Sequence, residues 1–151
     1  YANAGHNPPL LYRSATGSLE KLERGGMALG VMEHNPIQEH RLQVDPGDIL
    51  VLYTDGITEA FSPHGEMFGD AKLREVLLSA GQQIHNSRTG GRPAGQMLDA
   101  IEQSLLIFTE GGSRADDLTL LAIARLAADF SAQDHPAGLP SPDDIPQDQP
   151  D

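Results

Sequence analysis

The sequence has 151 residues and no cysteine. That absence removes disulfides, thiolate metal centres and a cysteine nucleophile, and it fits a cytoplasmic address. Basic residues are scarce: 10 Lys and Arg against 22 Asp and Glu give a net charge of −12. A field of that sign repels phosphate backbones and anionic membrane surfaces, which argues against nucleic acid as a partner. Uninterrupted apolar runs are short. Ile49-Leu50-Val51-Leu52 falls far below the roughly 20 residues that span a bilayer, so membrane insertion is not expected. No initiating Met or targeting pattern opens the chain; Tyr1-Ala2-Asn3-Ala4-Gly5-His6 reads as strand and turn, and the expectation is a chain that begins inside a domain.

A hydrophobic content of 38% at this length suits one domain with a real core. After Pro8-Pro9, the segments Leu10–Arg13 and Leu19–Glu23 flank Ser14-Ala15-Thr16-Gly17 and predict a β-hairpin with a loop of four or five residues. Gly25-Gly26 and Gly30 bracket a glycine-rich crossing loop that needs unusual dihedrals or close backbone approach. Partial alternation over Ile37–Val44, the Asp45-Pro46-Gly47-Asp48 turn and Ile49–Tyr53 predict another hairpin. The continuous apolar character of Ile49–Tyr53 predicts a central strand covered on both faces. Helical spacing predicts one helix over Asp70–Ala80, stopped at Gly81, with a loop over 82–92, and a second from Pro93 through Phe108, ended by Gly111-Gly112. Leu118–Leu126 is the expected final strand. From Ala127 to Asp151 the chain has five prolines, six aspartates and no lysine or arginine, the composition of a disordered acidic tail.

Two aspartate sites stand out by position. Asp55 follows the buried strand directly, and Gly56 beside it frees the backbone to turn away. Asp116-Asp117 precedes the final strand. If these strands are neighbours, Asp55 and Asp116 sit at one end of a sheet, where they could share a hard cation that prefers oxygen ligands. Taken singly, each site reads more readily as an ordinary turn or strand entry, and only their joint placement at strand ends raises the metal reading.

Read in order, Asn3-Ala4-Gly5-His6-Asn7-Pro8-Pro9, Ala28-Leu29-Gly30, Pro46-Gly47-Asp48-Ile49-Leu50, Tyr53 through Ala60, Phe68-Gly69 and Asp116-Asp117-Leu118-Thr119-Leu120 resemble the SpoIIE-like bacterial branch of the PPM-type (protein phosphatase 2C-like) phosphatases. The resemblance covers residues 1–126 and leaves out the tail 127–151. It implies an α+β fold, a four-layer α-β-β-α sandwich of two antiparallel sheets with helices on both outer faces, with two Mn²⁺ or Mg²⁺ ions between the sheets. Asp55 and Asp116 match metal-binding positions, and Asp117, the neighbour of Asp116, is the less favoured ligand. Ions held there would activate a water for attack on phosphoserine or phosphothreonine, so no protein nucleophile is required.

Further expectations attach to nearby residues. His6 stands where relatives carry an aspartate of an additional metal site, and its role is open between ligand, proton donor, substrate contact and turn residue. Gly5 and Gly56 are expected to serve backbone geometry. Glu59 is expected as an exposed carboxylate at a helix start, and Arg114 as a surface arginine able to meet a phosphate. The N-terminal half of the family's domain, with further ligands and strands, is not among these residues, so this piece alone is expected to be inactive. The expected partner is a phosphorylated regulatory protein, such as an anti-sigma-factor antagonist, and a sensory or receiver domain upstream is compatible with the family. An inactive regulatory domain that keeps the fold to bind partners, and a plain acidic β-rich binding module, are the competing readings.

Overall fold

A computed structural model describes residues 1–34, 36–87, 91–111 and 117–126. The acidic tail and its expected disorder lie outside the described residues. Four strands, β1 (Leu10–Arg13), β2 (Ser18–Lys21), β3 (Ile49–Tyr53) and β4 (Leu120–Ala124), form one antiparallel sheet in the order β2-β1-β3-β4. Between β3 and β4 come α1 (Asp55–Thr58), α2 (Gly69–Asn86) and α3 (Pro93–Phe108).

Alternation along the strands sorts their side chains onto two faces. Leu10, Tyr12, Ile49, Val51 and Tyr53 point to one face and are buried against Leu73 and Leu77 of α2 and Met97, Ile101 and Leu105 of α3. Helix α2 lies over β1 and β2, and α3 over β4. The opposite face carries Leu11, Leu50, Leu52, Leu121 and Ile123, of which Leu121 and Ile123 are each 51% exposed. Among the described residues, one sheet and one helical layer are present of the four layers that the resemblance implies. The apolar second face of the sheet is the surface on which another layer would pack.

Several sequence expectations need correction. Ile37–Val44 forms no strand; Glu39 makes only an isolated bridge with Ala2. Its backbone bonds instead to loop segments and side chains: the His40 amide donates to the Tyr1 carbonyl and the Gln38 amide to the Gly25 carbonyl, each at 2.8 Å, while the Arg13 guanidinium donates to the Gln43 carbonyl at 2.6 Å and that of Arg125 to Val44 at 2.7 Å. Strand β3 is central in the sheet but is sealed on one face only, since Leu50 and Leu52 border an apolar groove beside Leu42 and Val44. Helix α2 starts at Gly69 and runs past Gly81 to Asn86, so most of the expected 82–92 loop that is described up to Ser87 is helical. Gly81 is a packing residue, because a Cβ there would lie 2.4 Å from the Tyr12 ring, and Ile84 continues the core-facing stripe. Strands β2 and β4 are shorter than the expected Leu19–Glu23 and Leu118–Leu126.

Other expectations match the fold. The β1–β2 loop is Ser14–Gly17, closed by the Gly17 amide donating to the Arg13 carbonyl at 2.8 Å. Asp45–Asp48 is a turn closed by the Asp48 amide on the Asp45 carbonyl at 3.0 Å, with Gly47 at φ 91°, the type II position that favours glycine. Helix α3 begins at Pro93 and gives way to Gly111 at φ 71°.

Candidate active site

All four strands bring one end to a common edge. Because Leu10 pairs with Lys21 and with Val51, and Tyr53 with Leu120, this edge is where β1 and β4 begin and β2 and β3 end. Asp55 leaves β3 there, Asp117 leads into β4, and His6 leads into β1.

Thr54 ties the Asp55 side of the edge together. Its amide extends the β3–β4 ladder by donating to the Thr119 carbonyl at 3.2 Å. Its hydroxyl accepts the Thr119 amide at 3.0 Å and donates to the Asp117 carbonyl at 3.2 Å. Thr54 occupies the N-cap position of α1, yet its side chain makes no cap hydrogen bond. The hydroxyl is committed to the neighbouring strand, and it sets the backbone of residues 117–119 against the start of α1.

Asp55 is the first residue of α1 and is exposed, with its carbonyl accepting the Glu59 amide at 2.8 Å and the Thr58 hydroxyl at 3.2 Å. Asp117 is exposed as well. Asp116 and Arg114 lie outside the described residues. Gly56 takes a helical place in α1 and is not among the glycines with positive φ. Glu59 is exposed but ends α1, where it is the C-cap, and does not start a helix. The oxygen-only donors Asp55 and Asp117 suit a hard divalent cation. Among the described residues no cluster of three or more His, Cys, Asp or Glu side chains could hold one.

The segment before β1 is built around Gly5 and Asn3. Gly5 has φ 87°, and a Cβ on it would lie 2.7 Å from the Ala28 backbone nitrogen, so both conformation and space demand glycine. Asn3 is buried; its side-chain amide donates to the His6 carbonyl at 3.2 Å, and its own carbonyl accepts the Gly25 amide at 3.0 Å. The exposed His6 ring makes a local contact, with Nδ1 3.0 Å from the Asn7 carbonyl.

At the opposite end of β3, Asp48 is a buried carboxylate that sequence reading placed in a turn and in the Pro46–Leu50 motif. Burial by itself raises its pKa. The Asp45 and Ser14 amides, each at 3.0 Å, and the Arg13 guanidinium at 2.9 Å outweigh that effect and hold the carboxyl below its usual range. Arg13 also pairs with Glu20 at 2.7 Å, so one guanidinium fixes β2, the 43–48 segment and the entry to β3.

Comparison with known proteins places this geometry. The family model of the stage II sporulation protein E, SpoIIE, matches residues 1–126. The chain belongs to the SpoIIE family. Within this family of PP2C-like phosphatases, it is 35% identical over 125 residues to protein IcfG of Synechocystis sp., covering 83% of this chain and 18% of that protein. It is 32% identical over 127 residues to the phosphoserine phosphatase RsbU of Bacillus subtilis, covering 83% of this chain and 34% of RsbU. Among solved structures, the RsbU and RsbW domains of Rv1364c from Mycobacterium tuberculosis align with a TM-score of 0.61 at 30% identity, over 84% of this chain and 32% of that one. The SiaA-PP2C domain of Pseudomonas aeruginosa shares the fold at a TM-score of 0.56 and 23% identity, over 80% of this chain and 44% of that one. The SpoIIE-family chain thus spans about a third or less of the length of these two curated relatives.

Proposed function

We propose that the whole protein is a metal-dependent serine/threonine phosphatase that acts on a phosphorylated regulatory protein, such as an anti-sigma-factor antagonist. The observation that carries this reading is the Thr54 tie, which sets the entry to β4 beside the exit from β3 and so supports Asp55 and Asp116 as carboxylates of one ligand set. Kinship with a phosphoserine phosphatase supports the same chemistry.

In this reading Asp55 and Asp116 hold two Mn²⁺ or Mg²⁺ ions, together with ligands from elsewhere in the protein. Asp117 is the less favoured neighbour. The chemistry supplied by the bound ions is acidification of a water for attack on phosphorus and neutralisation of phosphoryl charge. Thr54 aligns the two strand ends that carry the carboxylates, and at the far end of β3 the Arg13–Asp48 pair locks the strand's entry. Gly5 lets the loop after β2 close on the segment before β1. The described residues supply one sheet, and residues 1–151, with part of the ligand set, are inactive alone.

The test is release of phosphate from a phosphoserine peptide by the full-length protein. Turnover should appear with Mn²⁺, vanish with excess EDTA and return when Mn²⁺ is restored. Turnover that survives chelation would contradict the metal-dependent reading. A folded protein that is silent under all conditions would instead favour the inactive regulatory domain.

A further inference from the structure

Helix α1, which carries Asp55, is not held in place by local chemistry. Its four residues make a single turn, far below the roughly 12 at which an isolated helix becomes even marginal in water. Its N-cap residue, Thr54, makes no cap hydrogen bond, because that hydroxyl is committed to the entry of β4. What fixes α1 is tertiary. Ile57 is fully buried in the core cluster that contains Phe68, Leu73 and Leu77. The Phe68 amide donates to the Ala60 carbonyl at 2.8 Å, which fastens the chain just after α1 to the residue that precedes α2.

The start of α2 is in turn tied to the strand that Asp55 leaves. Tyr53, the last residue of β3, is buried on the helical face of the sheet. Its hydroxyl donates to Oδ1 of Asp70 at 3.5 Å, a long bond to a charged acceptor in the first turn of α2. Burial pushes the Tyr53 phenol above its ordinary range, and the Asp70 carboxylate adds to this against the opposite pull of Arg74 and Arg24; the hydroxyl therefore keeps its proton and donates. Residues 53–70 are thus closed into a ring, with the Tyr53–Asp70 contact at its base and the Ala60–Phe68 bond as an inner brace. Asp55 lies within that ring.

We infer that Tyr53 and Asp70 are positioning residues for Asp55: by holding the first turn of α2 against the end of β3, they set where α1 and its aspartate stand at the sheet edge. Their role differs from that of Thr54, which joins β3 to β4. This inference rests on the reading of Asp55 as a metal ligand.

The experiment uses the full-length protein and three substitutions. Tyr53→Phe removes the hydroxyl and keeps the ring. Asp70→Ala removes the acceptor from an exposed position, where the fold tolerates the change, and Asp70→Asn keeps a side-chain oxygen that can accept the bond. Mn²⁺ affinity is read by titration calorimetry. Amide hydrogen exchange is read in the metal-free protein at Glu59 and Ala60, whose amides donate to the Asp55 and Ile57 carbonyls. Tyr53→Phe and Asp70→Ala should each weaken Mn²⁺ binding by about tenfold, the low end of what outer-shell partners of a metal site cost. Both should speed exchange at Glu59 and Ala60 and leave α3 unchanged, because exchange reports opening where it occurs. Asp70→Asn should match wild type. Unchanged affinity or unchanged exchange in Tyr53→Phe, or a loss in Asp70→Asn equal to that in Asp70→Ala, overturns the inference and leaves Asp55 a ligand. Faster exchange in α3 as well as α1 also overturns it, since the pair would then act on the stability of the whole fold. Folded wild type that binds no Mn²⁺ defeats the metal reading of Asp55 itself.

Discussion

The Thr54 hydroxyl donates to the Asp117 carbonyl across 3.2 Å, joining the residue before Asp55 to the residue after Asp116. In the proposed site this contact would make Thr54 a positioning residue for the strand ends that carry the two carboxylates. Replacing it with valine keeps the β-branched shape and removes both hydroxyl bonds. Thr54→Val should lower phosphoserine turnover in the full-length protein by 10- to 100-fold, the cost of losing an outer-shell partner in a metal site. Thr54→Ser keeps the hydroxyl and should retain most of the activity. Equal losses in the two variants would remove this role from the hydroxyl.

Asp48 makes acid stability a second test. Its folded-state pKa is lowered, so its stabilising contribution is complete above the ordinary carboxylate range, near pH 4, and is lost as pH falls through the lowered folded value. Asp48→Ala should cost about 2–3 kcal/mol at neutral pH, the range for hydrogen bonds to a charged group; partial solvation of Arg13 keeps the figure from being larger. Urea unfolding at several pH values checks both points. Asp48→Asn should flatten the acid limb relative to wild type, and an unchanged limb would show that Asp48 is not its source.

Gly81 sets two effects of opposite sign against each other. In a helix interior, alanine is favoured over glycine by about 1 kcal/mol. Here the new Cβ would meet three Tyr12 ring carbons at 2.4, 2.5 and 2.6 Å, in a core where Tyr12 is fully buried. Overpacking of this kind costs about 1–3 kcal/mol, so Gly81→Ala should destabilise the protein on balance. A raised melting temperature would mean that the ring yields at no cost.

Gly81 also illustrates what was legible in the sequence. A glycine after an apolar helical stripe reads as a helix end, and only the position of the Tyr12 ring, far away in the chain, shows why it is interior. The same holds for 37–44: its alternation suggests a strand, but its polar backbone groups bond to Tyr1, Gly25 and the Arg13 and Arg125 side chains, far off in the chain, and to no neighbouring strand. Elements governed by local chemistry, such as the Pro46-Gly47 turn, Pro93 at the start of α3 and the β1–β2 hairpin, were readable directly. At the site, Asp55 and the Asp116-Asp117 pair were visible because carboxylates after and before apolar strands stand out. Thr54 at the site and Asp48 at the far end of β3 were not, because their importance lies in cross-strand partners that no local pattern announces. The half-open sheet face had no sequence signature either, since a continuous apolar strand reads the same whether one or both faces are covered.

The most direct test of the account is Mn²⁺-supported phosphoserine hydrolysis by the full-length protein, measured for wild type, Asp55→Asn and Asp116→Asn at matched folded concentration. Each substitution should reduce turnover on the order of 100-fold or more, beyond what loss of a positioning residue costs. Turnover unchanged in both variants would contradict the assignment of these aspartates to the metal site, and with it the mechanism proposed for this chain.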